Sequence, residues 1–312
     1  MTQEEILNSI NIKKRFCKDY NLPITVYDNP YFMERLLTLD PMFETVEKFT
    51  SLCCCLSGFK SEQDYFDYYN KLKDAVITHI KSNPSYTQFC DNNIDKKFDF
   101  PKKNLYSPLN DGCTFISIDM KKANFSALNH FDSAIFSNRK TWEDFLRIFT
   151  DYEYIVNSKY IRQVILGACN PGKQIAYEHY LMGCLLTHIK EEIPNVNIYS
   201  LGEDEILIQV DGNCGYSKKR LQEVINSYPG KVGDLVKVNI FDLHIIKNTS
   251  GYIKSYYYGG EENVEFKCLD AEIYHQIVKH FYDIPITEND LVIYHNGHLA
   301  KLLKEVPNPW ED

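Results

Sequence analysis

The sequence predicts an α+β fold in which a helical N-terminal region precedes strands and helices in the order β-α-β-β-α-β. Three observations support this prediction. The first hundred residues show helical periodicity and carry no obvious chemistry. Cys113 to Ile118 is an apolar, β-branched and aromatic run that is typical of a buried strand. Two short strand patterns on either side of Gly202 indicate a hairpin.

Composition indicates a globular chain with a substantial core. The 312 residues are 44% hydrophobic and 14% aromatic, enough for one large domain or two smaller ones. A net charge of −9 argues against a protein that coats nucleic acid through a global positive field, so any nucleic acid must be held by local patches. The ten cysteines show no paired Cys-x-x-Cys spacing, which favours a reducing cytoplasm. We expect neither a signal peptide nor a membrane-spanning helix.

Three helices are predicted in the N-terminal region. Thr2 and Glu5 form a capping box ahead of the first, and residues 43–56 and 61–81 form the other two. The third helix carries an aromatic stripe that includes Tyr65, Tyr68 and Tyr69. Core packing is the favoured interpretation of this stripe, and a surface on which bases stack is the alternative.

The polar, proline-marked stretch from Asp91 to Pro108 is the best domain boundary, because it lacks periodicity. It divides the chain into a helical region (1–100), a central catalytic domain (101–250) and a C-terminal β-hairpin and helix (251–312). The basic residues from Lys96 to Lys103 suit contact with phosphate, although a solvated linker is the simpler interpretation.

Acidic residues end two of the predicted strands. The hairpin carries Glu203, Asp204 and Glu205 at its tip, and the strand upstream of it stops at Asp119. Like charges packed this closely need either a multivalent cation or full solvation, so the tip alone is a metal site or a solvated turn. One carboxylate from a buried strand beside others from a hairpin favours a site for two divalent ions, Mg²⁺ or Mn²⁺.

These two stretches resemble the palm domains of nucleotidyltransferases. The run Ile118-Asp119-Met120-Lys121-Lys122-Ala123 is similar to the first palm motif of reverse transcriptases, and residues 198–208 resemble their palm hairpin. The turn Gly-Glu-Asp-Glu-Ile is also similar to the GGDEF turn of diguanylate cyclases. Residues 192–205 resemble the corresponding stretch of tRNA-His guanylyltransferases. The likeness covers roughly residues 113–250 and implies a ferredoxin-like palm.

The resemblance implies two-metal-ion nucleotidyl transfer, most simply by a template-directed polymerase of reverse-transcriptase type. Its partners would be nucleoside triphosphates and an RNA or DNA primer-template. Asp119, Asp204 and Glu205 would be catalytic and bind metal, with Glu203 as a further metal ligand. The alternatives are a template-independent nucleotidyltransferase or cyclase, and a ferredoxin-like RNA-binding module without catalysis. The last would need exposed aromatics on its central strands.

Four residues are expected to bind the nucleotide. The resemblance places Lys122 and Asn124 there, although reverse transcriptases have an aromatic residue where this chain has Asn124. Arg162 and Lys173 flank a turn that opens a long helix over residues 174–192. A helix N-terminus with two nearby cations suits a triphosphate, and an ordinary start of a helix explains the same pattern equally well.

The remaining elements supply candidates for binding nucleic acid. Lys218, Lys219 and Arg220 head a short helix at residues 217–227, for which a solvated face is the simpler interpretation. Lys254 lies in a run of alternating Tyr and Lys, which suits a primer strand if it is exposed and is equally an ordinary sheet surface. The other predicted elements are a crossover helix (141–150), a turn (211–213), a strand (236–246), a hairpin (252–258 and 264–268) and a helix (271–282).

Overall fold

The computed structural model describes residues 1–94, 96–210, 218–258 and 261–311. Its N-terminal region is helical, as the sequence predicts. The helices there are α1 (Gln3–Asn8), α2 (Ile10–Tyr20), α3 (Tyr31–Phe43), α4 (Thr45–Ser57), α5 (Glu62–Lys81) and α6 (Pro84–Asp91). The Thr2 hydroxyl accepts the Glu5 N–H, and the Glu5 carboxylate accepts the Thr2 N–H, so the predicted capping box is confirmed.

The predicted helix at residues 43–56 corresponds to α4, which follows α3 after a break of one residue. α3 ends at Phe43 and α4 begins at Thr45, because Glu44 between them adopts a left-handed conformation with φ of 52°. The predicted helix at residues 61–81 corresponds to α5, which Ser61 caps by accepting the Asp64 N–H.

The central region follows the predicted β-α-β-β-α-β order. Its elements are β1 (Cys113–Met120), α7 (Ala123–Phe131), α8 (Trp142–Leu146), α9 (Glu153–Val156), α10 (Lys159–Gly167), α11 (Pro171–Glu192), β2 (Ile198–Leu201), β3 (Glu205–Val210), α12 (Lys218–Ser227), α13 (Val232–Leu235) and β4 (Val236–Ile245). The predicted crossover helix (141–150) corresponds to α8, which is shorter than expected. It is one of several helices between β1 and β2. α11 begins three residues before its predicted start, because Asn170 caps it ahead of a proline. The predicted turn at 211–213 lies outside the described residues.

The C-terminal region contains β5 (Tyr252–Tyr258), β6 (Glu261–Lys267), α14 (Tyr274–Phe281), β7 (Val292–His295) and β8 (His298–Lys301). The predicted hairpin is present as β5 and β6, although residues 259 and 260 between them lie outside the described residues. β7 and β8 form a separate two-stranded sheet that the sequence does not predict.

The main sheet of the described chain has six strands in the order β2-β3-β1-β4-β5-β6, and all neighbours are antiparallel. The predicted α+β class is therefore confirmed. β1 lies between β3 and β4, with Asp119 opposite Glu205 on one side and Lys237 on the other. Directly paired residues of antiparallel strands share a face, so these three side chains project to the same side of the sheet.

The two faces of this sheet are packed differently. Ile116, Ile118 and their neighbours on β3 and β4 join the main hydrophobic core, and α11, α12 and α13 contact this side. Alternate residues, including Ser117 and Asp119, project to the other side, which we call the open face. Phe115 and Phe241 lie on the open face in a smaller cluster with Leu105.

Residues 101–110, which we call the covering segment, cross part of the open face. The segment starts at the edge of the sheet, where the Leu201 N–H donates to the Pro101 carbonyl at 2.8 Å. It then runs over the aromatic residues, and the Asn110 side chain donates to the Tyr199 hydroxyl at 2.8 Å. Asp119 remains 29% exposed at the end of the face beyond this cover.

A single buried cluster contains residues from the N-terminal helices, the central sheet and α14. Polar contacts also join these regions: Tyr154 donates to the Asp19 carboxylate at 2.7 Å, and the Arg35 guanidinium donates to the Val292 carbonyl at 2.5 Å. Division at residues 100 and 250 stays a prediction. Among the described residues, no helix has the length and apolar character needed to cross a membrane.

Candidate functional site

Two of the predicted carboxylates meet on the open face because of strand register. Asp119 on β1 and Glu205 on β3 are direct cross-strand partners. The Ser117 hydroxyl donates to Glu205 Oε1 at 2.5 Å, and Lys237 Nζ lies 3.1 Å from Asp119 Oδ2. The open face therefore ends in two oriented carboxylates with a lysine beside them.

The hairpin turn that carries the other carboxylates is held in place on three sides. The Gly202 N–H donates to the Glu205 carbonyl at 2.8 Å, and the Met120 N–H donates to the Asp204 carbonyl at 2.9 Å. From α11, His179 Nδ1 donates to the Gly202 carbonyl at 2.8 Å. These bonds fix the turn against both β1 and the helix behind it.

Asp204 and Glu203 face different surroundings. Burial raises the pKa of Asp204, and the nearby charge of Asp119 raises it further. Glu203 is turned toward the covering segment, where Lys102 Nζ lies 2.9 Å from its Oε1 and lowers the pKa of the Glu203 carboxyl group by this hydrogen bond. This arrangement supports Asp204 and Glu205, ahead of Glu203, as the pair beside Asp119.

Glu178 on α11 is a further carboxylate, and the sequence reasoning missed it. Its side chain is 3% exposed, and its Oε1 has no hydrogen-bond partner. Burial, followed by the charges of Asp204 and Glu203, raises the pKa of Glu178 to about 7. The one indication in the sequence is that a charged residue lies on the apolar face of α11, where Leu181 and Leu185 are also buried. Asp119, Asp204 and Glu205 are called the acidic cluster below; Glu178 lies behind the hairpin turn, on the helix-covered side of the sheet, where it feels the charges of Asp204 and Glu203.

Three of the carboxylates have partners within the chain. Lys237 approaches Asp119, Lys102 pairs with Glu203, and Ser117 donates to Glu205. The described part of the chain contains no group of three or more His, Cys, Asp and Glu side chains placed so that it could hold a metal ion. Asp119, Glu203 and Glu205 are thus partnered by lysines or a hydroxyl.

Three of the predicted nucleotide-binding residues lie on α7 and α10, near the end of β1. Lys122 has a left-handed φ of 48° at the start of α7, and its Nζ lies 2.5 Å from Glu143 Oε2. Asn124 is half-buried in the first turn of α7. Burial lowers the pKa of Arg162 on α10, and the charge of Glu143 opposes that shift. Lys122 and Arg162 therefore share one acidic neighbour.

Lys173 has different neighbours from Arg162. Its Nζ donates to the Asn92 carbonyl after α6, whereas Arg162 lies inside α10. The structure thus brings Arg162 toward Lys122 and gives Lys173 a separate contact at the start of α11.

The residues predicted to bind nucleic acid lie on opposite sides of the sheet. Lys218, Lys219 and Arg220 begin α12 on the helix-covered side, where Arg220 lies 3.5 Å from Glu192 at the end of α11. Lys254 lies on the open face, but it is only 6% exposed, and its Nζ is 4.4 Å from the centre of the Phe241 ring. Tyr252, Lys254 and Tyr256 on β5 do not form an exposed strip: all three are buried, and Tyr106 of the covering segment packs against the first two.

Comparison of this chain with protein-family models, with curated proteins and with solved structures finds no match.

Proposed function

We propose that this chain catalyses two-metal-ion nucleotidyl transfer at the acidic cluster, with a template-directed polymerase of reverse-transcriptase type as the leading form. The observation that carries the proposal is the register that sets Asp119 directly beside Glu205, next to the clamped turn that holds Asp204. Carboxylates from neighbouring strands, with their charges this close, suit divalent cations.

The architecture supports this proposal. Helices α11, α12 and α13 contact one face of the antiparallel sheet, and the carboxylates Asp119 and Glu205 project from the other. The β-α-β-β-α-β element order matches that of a ferredoxin-like unit, and this supports the palm that the sequence resemblance implies.

The residues present fit Mg²⁺ or Mn²⁺ in one respect that is specific to this chain. Oε1 of Glu178 is buried without a partner close to Asp204 and Glu203, and such an atom is costly unless something nearby supplies a counter-charge. Asp119, Asp204 and Glu205 would hold the cations, with Glu203 as a further ligand. When bound, two cations would activate an attacking hydroxyl and stabilise the leaving pyrophosphate.

Lys122, Asn124 and Arg162 would position the nucleoside triphosphate. Lys122 and Arg162 offer two positive charges, one at the start of α7 and one on α10. Glu143 forms an ion pair with Lys122, and its charge also acts on Arg162. Guanidinium and ammonium groups of this kind make strong charge-assisted hydrogen bonds to phosphate oxygens.

One observation favours a second candidate, a template-independent nucleotidyltransferase or nucleotide cyclase. A templated polymerase must hold a duplex beside the palm with several cations. Lys254 is buried, and α12 lies across the sheet from the open face. Neither group therefore lines an exposed groove beside Asp119.

The non-catalytic RNA-binding alternative has less support. Such a module reads bases with exposed aromatics on its central strands. Here Phe115 and Phe241, which occupy those strands, are at most 1% exposed beneath the covering segment.

Loss of either central aspartate tests the proposal. We expect Asp119→Asn and Asp204→Asn each to reduce nucleotide incorporation below about 1% of the wild-type rate, because several kcal/mol of charge stabilisation are lost. Asp74→Asn is the matched control, since Asp74 is 70% exposed on α5. Incorporation is measured with Mg²⁺ or Mn²⁺, with and without a primer-template. Undiminished activity in either aspartate variant would remove the metal assignment, and a cyclic or dinucleotide product without primer would establish the second candidate.

A further inference from the structure

One face of α2 carries three cations far from the acidic cluster in sequence. These are Lys14, Arg15 and Lys18, and with the neutral Asn11 they are spaced at i, i+3, i+4 and i+7, so they lie along one side of the helix. Together with Phe66 and Tyr160 they line a cleft of about 290 Å³, which we call the α2 cleft. Lys14 and Lys18 are exposed.

Aromatic rings hold the central cation of this cleft in place. The guanidinium carbon of Arg15 lies 4.2 Å from the ring centre of Tyr69, 5.0 Å from that of Tyr160 and 5.7 Å from that of Phe66. A guanidinium group stacked in this way keeps its planar fork of donors oriented. It therefore loses less conformational entropy when it binds a phosphate than a mobile side chain would.

Two acidic residues lie near the cleft. Glu62 lies at the rim, where it accepts hydrogen bonds from the Asn11 amide at 2.8 Å and from Ser9. Asp19 is fully buried, accepts hydrogen bonds from Tyr154 and Ser158, and feels the charge of Arg15, which opposes the rise in the Asp19 pKa caused by burial. Lys14 and Lys18 have no such acidic neighbour among the residues that line the cleft. No acidic side chain lines the cleft within the described chain, even though the whole protein carries a net charge of −9. The α2 cleft is thus a local positive site on an acidic protein.

We propose that the α2 cleft binds single-stranded nucleic acid. Lys14, Lys18 and Arg15 contact the phosphates, and an unstacked base packs against Tyr160 or Phe66. A volume of about 290 Å³ is at the lower limit for small-molecule pockets, which fits one nucleotide unit of a strand. Helix α10 carries both Tyr160 and Arg162, so a strand in the cleft lies beside the helix that faces the proposed nucleotide site.

The test measures binding without catalysis, so that its outcome does not depend on the proposed activity. A short fluorescently labelled single-stranded RNA is titrated with full-length Asp119→Asn protein in the absence of divalent cations. We expect Lys14→Glu with Lys18→Glu to weaken binding by at least about tenfold. The slope of the logarithm of the binding constant against the logarithm of salt concentration should fall by about one for each phosphate that is no longer neutralised. Lys71→Glu with Lys304→Glu, which changes the net charge equally at exposed positions outside the cleft, should change affinity by less than about threefold.

Arg15→Lys keeps the positive charge but removes the planar set of guanidinium donors. We expect this variant to bind RNA several-fold more weakly with an unchanged unfolding temperature. Competition with inorganic phosphate and with a free nucleoside monophosphate distinguishes a strand site from a simple anion site. We expect both competitors to be weak. Equal affinities in the Lys14/Lys18 variant and its control would overturn the proposal, and so would full displacement of the RNA by low concentrations of inorganic phosphate.

Discussion

Burial of the Glu178 carboxyl group lowers the unfolding free energy when the group is charged, and a nearby functional site would explain this cost. The pKa of this group is raised from 4.5 to about 7, chiefly by burial, so the folded protein binds more protons than the unfolded chain between these values. The unfolding free energy of the metal-free protein therefore falls as pH rises through this window. The full cost, about 1 to 3 kcal/mol, is present above pH 7.

Glu178→Gln should remove this cost. We expect the variant to be more stable than the wild type at pH 8 by about 1 to 3 kcal/mol and to lose that advantage near pH 4. Urea unfolding in the presence of a chelator measures both differences. Glu191→Gln is the control, because Glu191 is exposed on the same helix. Parallel stability curves for wild type and Glu178→Gln across this pH range would show that the carboxyl group is not held in its neutral form.

The orientation of the hairpin distinguishes Glu203 from Glu205. Glu205 projects beside Asp119, whereas Glu203 pairs with Lys102 on the covering segment. We expect Glu205→Gln to lower nucleotide incorporation by more than about tenfold and Glu203→Gln to lower it by less than about threefold. Steady-state incorporation rates at saturating metal compare the two variants directly. The opposite order of effects would assign the reverse-transcriptase register to this turn.

At the scale of secondary-structure elements, α7 and α10 present Lys122 and Arg162 to the same acidic residue of α8. We expect Arg162→Ala and Lys122→Ala each to weaken nucleoside triphosphate binding by about 1.5 to 3 kcal/mol, the value of a charge-assisted hydrogen bond. Lys173→Ala should have less effect, because Lys173 contacts the Asn92 carbonyl. Titration with a labelled nucleotide analogue measures all three. Identical affinities in the Arg162 and Lys122 variants and the wild type would contradict this assignment.

Elements with a strong local pattern were predictable, and those fixed by long-range contacts were not. The strand that ends near Asp119 and the hairpin around Gly202 are visible as β-rich apolar runs, and the structure contains both. The polar, proline-marked covering segment has the composition of a linker, yet Leu105 packs against the open face. Besides Phe115, the cluster around Leu105 includes Tyr199 and Phe241, which are distant in sequence, and no local periodicity encodes that packing.

The same limit applies to the candidate site. Asp119 and the hairpin carboxylates stand out because each follows or precedes a strand. The burial of Glu178 follows from how α11 packs against the sheet, and its charge at an apolar position was the only indication in the sequence. Likewise, the sequence around Lys254 has the composition of an exposed basic strip. Lys254 itself is buried, in contact with the covering segment, which lies far away in sequence.

For the whole molecule, the distribution of basic groups decides where a strand can lie on a protein whose net charge is −9. These groups occupy separate surfaces: the α2 cleft lies on the N-terminal helices, and Lys218, Lys219 and Arg220 lie at the start of α12. The leading proposal assigns duplex binding to the second group, which lies on the helix-covered side of the sheet. An enzyme that acts on the end of a single strand needs only the first.

The two modes of binding differ in whether activity depends on the α12 cations. If the leading proposal holds, primer extension on a template is abolished by Lys218→Glu with Arg220→Glu, and it weakens steeply with salt in the wild type because counterions are released from several phosphates. Lys71→Glu with Lys304→Glu is again the control of equal charge. Extension is followed on labelled primer at several salt concentrations. Activity that survives the α12 reversal but disappears with Lys14→Glu and Lys18→Glu would instead indicate transfer to a single strand held in the α2 cleft, because a duplex beside the palm would then carry no part of the binding energy.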